Sequence, residues 1–247
     1  MKRTLLIDIS NSFTKAAVAT GPRIGRVHRI TTQTLKPASL RALFGKTQPD
    51  SVFLSSVVPA KNFAVLSAFP KAVVIGPHLD LGVGIDYPNP ESIGADRLAN
   101  AAACAGFYEV PAIVVDFGTA VTFDVLSIKG AYIGGVIAPG LNAMTSYLHE
   151  KTALLPQVTL KEPKSAVGRS TGEAMLSGAV HGYRGLIREI LAQITSENFP
   201  GKKPIVVATG GDAKLIAGKL ALFDKVDPLL TLRGILLIAS KNTPASF

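Results

Sequence analysis

The stretch "TLLIDISNSFTKAAVA" (4–19) is answered later in the chain by "AIVVDFGTAVTFDVLS" (112–127). Each begins as an apolar strand that ends in an acid, Asp8 or Asp116. One hydrophobic residue follows, then a small one, then hydroxyl-bearing residues and a second strand. In the later copy "KG" (129–130) turns into a third strand, "AYIGGVIA" (131–138); in the earlier one "TGPRIG" (20–25) turns towards "RVHRITT" (26–32). Two copies predict two structural repeats, each opening with a three-stranded meander. The split falls near Pro111, giving an N-terminal repeat over 1–111 and a C-terminal repeat over 112–247.

The rest of the chain alternates strand-like and helix-like runs, the mark of an α/β protein. Further strands are expected at "SVFLSSVV" (51–58), "AVVIG" (72–76) and "PIVVATG" (204–210). Helical spacing runs through 39–46, 61–69, 95–108, 140–155, 171–197, 212–220 and 231–241. With 47% hydrophobic and 17% charged residues among 247, the chain can bury a sizeable core and does not read as disordered. No apolar run approaches the roughly 18 residues of a membrane helix. Asp8 interrupts the apolar start too early for a signal peptide, so a cytoplasmic protein with no membrane partner is expected.

A net charge of +9 suits an anionic ligand, but the cations are scattered and do not alternate with aromatics. A solvated basic surface is expected, with no nucleic-acid partner. The single cysteine, Cys104, rules out an intrachain disulfide and reads as a small buried hydrophobe. His28, His78, His149 and His181 have no metal-ligand spacing. There is no G-x-S-x-G elbow, no Walker A loop and no G-x-G-x-x-G after a strand.

What remains is the pair of acid-ended turns. A tight turn between antiparallel strands points backbone N–H groups at one place, and small residues let a phosphate approach it. A carboxylate beside such a turn holds the accompanying cation or its water shell. Read singly, each is better explained as a hairpin with a capping Asp; read together, they favour a clasp for a polyphosphate. At "ESIGADRLAN" (91–100) Gly94 precedes a helix with Asp96 and Arg97 in its first turn. Asp96 reads either as a dipole partner or as the group that takes a proton from an attacking hydroxyl. Arg97 is placed to fork onto an anion. "ATGG" (208–211) and "GRST" (168–171) read as a strand-to-helix turn and a capped helix start, or as ligand contacts.

Together "DISNSFTK" (8–15), "SSVVP" (55–59), "GIDYPNPESIGADRLAN" (84–100), "VDFGTAVTFDV" (115–125), "GGVIAPG" (134–140), "KTALLP" (151–156), "GRSTGEAMLSG" (168–178), "ATGG" (208–211) and "VDPLLTL" (226–232) resemble, in order and spacing, the type III pantothenate kinases of the acetate/sugar kinase–Hsp70–actin superfamily. The resemblance implies two duplicated ribonuclease H-like repeats, each a mixed sheet with flanking helices, and a cleft between them. It implies phosphorylation of pantothenate by ATP with Mg²⁺ and a monovalent cation, K⁺ or NH₄⁺, in a homodimer. Carried over by position, Asp8, Ile9, Ser10, Asn11, Ser12, Phe13, Thr14, Lys15 and Thr119 contact ATP. Tyr87, Gly94, Ala95, Asp96, Arg97 and Thr171 contact pantothenate, Asp96 is the catalytic base, and Asp116 holds the monovalent cation.

The family's first loop reads Asp-hydrophobic-Gly-Asn-Thr, whereas Ser10 and Ser12 replace its Gly and Thr here; Val121 stands where Thr is commoner. If that glycine needs positive φ, Ser10 is strained by about 1–3 kcal/mol. That would favour a regulator with weakened ATP binding. A kinase acting on another small alcohol is the other alternative. The expectation here is that Ser10 takes an ordinary extended conformation.

Overall fold

A computed structural model describes residues 2–44 and 49–243. The last two residues of the helix expected over 39–46, and the end of the expected second repeat from 244, lie outside these. Two compact units emerge. The first takes the chain up to Tyr108 and again from Leu229 onward; the second is Glu109–Pro228.

In the first unit β1 (Arg3–Ile9) pairs antiparallel with β2 (Phe13–Thr20). The partner of β2 is an interrupted edge, β3 (Arg23–Ile24) at one end and β4 (His28–Thr31) at the other. After helix α1 (Pro37–Phe44), β5 (Ser51–Ser56) lies parallel to β1 on its other side. Helix α2 (Pro59–Ala68) then leads to β6 (Val73–Val74), parallel to β5. Side chains alternate across a strand. Leu5, Ile7 and Ile9 therefore pack with Leu40, Val65 and Phe69 on one face. The other face carries Leu6, Ala17 and Phe53, all buried. There α3 (Ala95–Phe107) lies against β5.

The second unit repeats the plan. Strands β7 (Ala112–Phe117), β8 (Ala120–Leu126) and β9 (Tyr132–Pro139) form an antiparallel meander. Helices α4 (Leu141–Lys151) and α5 (Thr171–Asn198) follow. Strand β10 (Ile205–Gly210) then pairs parallel with β7. Beyond α6 (Ala213–Ala217), β11 (Lys225–Val226) pairs parallel with β10. The order β9-β8-β7-β10-β11 matches β3-β2-β1-β5-β6 strand for strand, with the same directions. The expected duplicated, ribonuclease H-like α/β architecture is what the chain adopts. Phe117, Phe123, Tyr183 and Ile187 centre the second core.

Three sequence expectations shift. Helix α4 stops at Lys151, not 155: the Thr152 hydroxyl bonds the Leu148 carbonyl and Pro156 lies just beyond. The third strand of the first repeat splits into β3 and β4. The expected boundary at 111/112 lies three residues past the start of the second unit at Glu109, and the terminal helix α7 (Leu230–Asn242) groups with the first unit. It packs on α3, β1 and β5. Gly234 makes this possible, because a Cβ there would run into the Ala99 carbonyl oxygen. Thr231 Oγ1 donates to Asn100 Oδ1 at 2.9 Å inside the contact, and the Arg233 guanidinium sits 4.0 Å from the centre of the Phe107 ring.

Candidate active site

The first turn is built from behind. Asp8, the last residue but one of β1, is almost fully buried and receives weak hydroxyl contacts of 3.4 Å from Ser10 Oγ and from Ser55 Oγ on β5. The Ser10 N–H closes the turn on the Phe13 carbonyl at 3.2 Å, which leaves Asn11 and Ser12 as the exposed tip. Thr32, just after β4, clamps that tip. Its hydroxyl donates to the Ser10 carbonyl at 2.7 Å and lies 3.1 Å from Thr14 Oγ1, while its N–H donates to the Ser12 carbonyl at 3.1 Å. No non-glycine residue among those described has positive φ, so Ser10 carries no left-handed strain. Ile9 and Thr14 are fully buried; their side chains are spent on the core and on Thr32.

The same unit brings up the second group. Val57, one residue beyond β5, donates its N–H to the Ile9 carbonyl at 3.0 Å. Its Cγ1 lies 3.5 Å from where a Cβ on Gly94 would be. Gly94 opens α3 at φ −58 and ψ 140, values any residue adopts. Its lack of a side chain serves a different end: a Cβ would stand 2.6 Å from Asp96 Oδ1. That space lets the carboxylate fold back over the helix start, where Oδ1 accepts from the Arg97 N–H at 2.8 Å. Ala95 is buried beneath, and Asp96 and Arg97 are half-buried. Tyr87, on the segment that leads through Pro90–Ser92 into Gly94, is 37% exposed.

The second turn is tighter. Gly118 N–H closes on the Ala120 carbonyl at 3.1 Å, leaving three residues between paired strands where the first turn has four. Gly118 sits at an ordinary φ, so the glycine that Ser10 replaces in the first turn has no conformational duty in the second either. Thr119 is exposed at the tip and Asp116 is half-buried. Beside Asp116, β10 ends at Gly210 with φ +93, a conformation L side chains rarely adopt. A Cβ there would fall 2.5 Å from both Asp116 Oδ1 and the Phe117 carbonyl. Asp212 follows, its N–H on the Phe117 carbonyl at 3.3 Å, and burial raises its carboxyl above the usual range. Burial, then the charge of Asp212, pushes the Tyr183 phenol well above its ordinary value. Thr171 is exposed at the first position of α5, behind the Ser170 cap. Lys161, Lys164, Arg169 and Glu173 line a cavity of about 410 Å³ at that helix start.

The first unit therefore gathers the first turn, Tyr87 and Gly94–Arg97; Asp116, Thr119 and Thr171 belong to the second. Among the described residues no cluster of three or more His, Cys, Asp or Glu could hold a metal.

The family model for type III pantothenate kinase matches residues 4–193. The chain belongs to the type III pantothenate kinase family. As a member it is a kinase that phosphorylates pantothenate with ATP, towards coenzyme A. The type III pantothenate kinase of Methylacidiphilum infernorum is 46% identical over 95% of this chain and 87% of its own length. That of Akkermansia muciniphila is 46% identical over 96% and 98%. A conserved Baf family protein of Campylobacter jejuni, known from its crystal structure, superposes with a TM-score of 0.63. It is 23% identical and covers 96% of this chain and 98% of its own, and it shows the shared fold.

Sequence reasoning missed Thr32 and Ser55, whose hydroxyls support the first turn. Ser55 lay within a quoted motif and only β1–β5 register gives it a role. Thr32 is 22 residues from Ser10, and nothing local marks its hydroxyl as a clamp.

Proposed function

We propose that Asp96 is the base that takes the proton from the primary hydroxyl of pantothenate as that oxygen bonds to the γ-phosphorus of ATP. The bond from phosphorus to the β–γ bridging oxygen breaks, and ADP leaves. The observation that carries this is the nearness of the first turn and the start of α3 within one unit: Val57 donates to the Ile9 carbonyl, and the place a Cβ on Gly94 would take lies 3.5 Å from Val57 Cγ1 and 2.6 Å from Asp96 Oδ1. Phosphoryl transfer asks mainly for position and charge stabilisation. Asn11, Ser12 and Lys15 supply the phosphate contacts; Arg97 and Tyr87 hold the pantothenate, with Thr171 as a further contact.

The donors suit the ions such a kinase uses. Mg²⁺ keeps several waters and binds through phosphates and one or two carboxylates, so the absence of a three-ligand cage among the described residues is no obstacle. Asp8 is the carboxylate for that water shell, and Mg²⁺ supplies neutralisation of the phosphates. Asp116 Oδ1 and the Phe117 carbonyl converge beside side-chain-free Gly210, an all-oxygen set suited to K⁺ or NH₄⁺. The second unit leaves Ile137, Tyr147, Leu154 and Val167 more than half exposed, which supports a homodimer formed through that unit. The need for ATP supports a cytoplasmic location.

Asp96→Asn tests the assignment. A general base contributes about 10²–10⁴-fold. Turnover in a coupled ADP-release assay falls by that order while calorimetric binding of pantothenate persists. Undiminished turnover removes Asp96 as the base.

A further inference from the structure

A row of side chains crosses the first sheet at the base of the phosphate turn. Ser55, Asp8, Lys15 and Arg29 are successive register partners on β5, β1, β2 and β4. Direct partners in a sheet share a face, so Lys15 and Arg29 stand side by side; like charges placed so repel. Asp8 is buried, Lys15 half-buried and Arg29 exposed, so the row runs outward from the core. Neither cation forms an ion pair with a carboxylate among the described residues. Arg29 rests with its guanidinium carbon 3.5 Å from the centre of the Phe13 ring, at the last residue of the turn.

The fold does not require this pair. The equivalent row in the second unit is Thr209, Asp116, Thr122 and Ile137, with neutral residues at both corresponding places. The acid is common to both turns; the two cations belong only to the first. Two adjacent positive charges at the outer end of a row whose one carboxylate, Asp8, is buried suit a multiply charged anion, and a guanidinium offers the fork geometry that phosphate oxygens accept in pairs.

We propose that Arg29 is a phosphate-binding residue for the nucleotide, acting with Lys15 as a two-cation clamp at the first turn and held ready by the Phe13 ring. This rests on the reading of the first turn as the ATP phosphate site. Sequence carry-over ended at Lys15 and did not reach it.

The test is calorimetric titration of MgATP and, separately, of adenosine into the unaltered protein, Arg29→Gln and Arg29→Lys, at two salt concentrations. Arg29→Gln weakens MgATP about tenfold and leaves adenosine unchanged. Its MgATP affinity also depends less on salt, and Arg29→Lys lies between. An Arg29→Gln affinity for MgATP within twofold of the unaltered protein overturns the proposal while leaving the ATP site standing. Equal losses for MgATP and adenosine also overturn it, since they mark a structural role. If the unaltered protein binds adenosine but gains nothing from the phosphates, the phosphate reading of the turn itself falls, and this inference with it.

Discussion

Gly94→Ala isolates what the room at the start of α3 does. The backbone at φ −58 and ψ 140 accepts alanine, so no left-handed strain enters. Losing glycine at the N-cap costs the helix about 1 kcal/mol at most. The chemistry is hit harder. The new methyl carbon would stand 2.6 Å from Asp96 Oδ1, and ordinary contact begins at 3.4 Å. The oxygen must retreat by about 0.8 Å, against its 2.8 Å bond from the Arg97 N–H. A misplacement near 1 Å costs about 10²-fold in rate. The expected kcat, at saturating ATP and pantothenate in a coupled ADP-release assay, is therefore roughly 30- to 100-fold below the unaltered enzyme. The melting curve should move by only a few degrees. A kcat within twofold, with an unchanged melt, would refute the argument that the carboxylate needs this space.

Three other substitutions probe the supporting structure. Thr32→Val removes the donor to the Ser10 carbonyl and the partner of Thr14. It should cost about 1–3 kcal/mol and raise KM for ATP, with Thr32→Ser recovering both; an unchanged KM would show that the turn holds without the clamp. Gly210→Ala meets an unfavourable φ of +93 and the Phe117 carbonyl at 2.5 Å; a loss of at least about 2 kcal/mol is expected in denaturant unfolding, and a smaller one contradicts the fit. Glu162 is held below the usual carboxylate range by hydrogen bonds from the Arg184 guanidinium, 3.0 and 2.6 Å long. The folded chain thus binds fewer protons there than the unfolded chain. The stabilisation is present at neutral pH and fades as pH falls through the carboxylate range. Glu162 is 43% exposed on its side chain, so Glu162→Gln should lower the melting temperature by only about 1–3 °C at pH 7, with the gap closing towards pH 3; a gap that widens in acid reverses the sign of the argument.

The duplicated plan was legible because its signals are local: an apolar strand, an acid and a small polar turn lie within ten residues, twice. The long helix expected over 171–197 announced itself by its spacing and the hydroxyls of Ser170 and Thr171 at its start, and the structure runs it over 171–198. What the sequence withheld depends on partners distant along the chain. The clamp on Ser10 comes from Thr32, and Asp8 meets Ser55 only through parallel pairing 47 residues away. The one-residue difference between the turns is invisible in an alignment where Lys15 falls opposite Phe123; strand register puts it opposite Thr122. The apolar spacing of 231–241 identified a helix but not its destination, because Gly234 and Ala99 meet across more than a hundred residues.

The return of α7 to the first unit has a consequence for how the protein is made. The ribosome delivers residues in order, so the second unit, 109–228, is complete while the first still lacks its last helix. Until Leu230–Asn242 emerges, the side of α3 bearing Ala99 and Asn100 has no cover, and Asn100 has no Thr231 hydroxyl to meet. The proposed phosphate turn and the Asp96 carboxylate sit on that unfinished unit. The nascent chain therefore completes the unit that carries the proposed base last, and a chain cut short before α7 would carry a finished second unit and a sticky, unfinished first one, a form that proteases and chaperones are suited to remove.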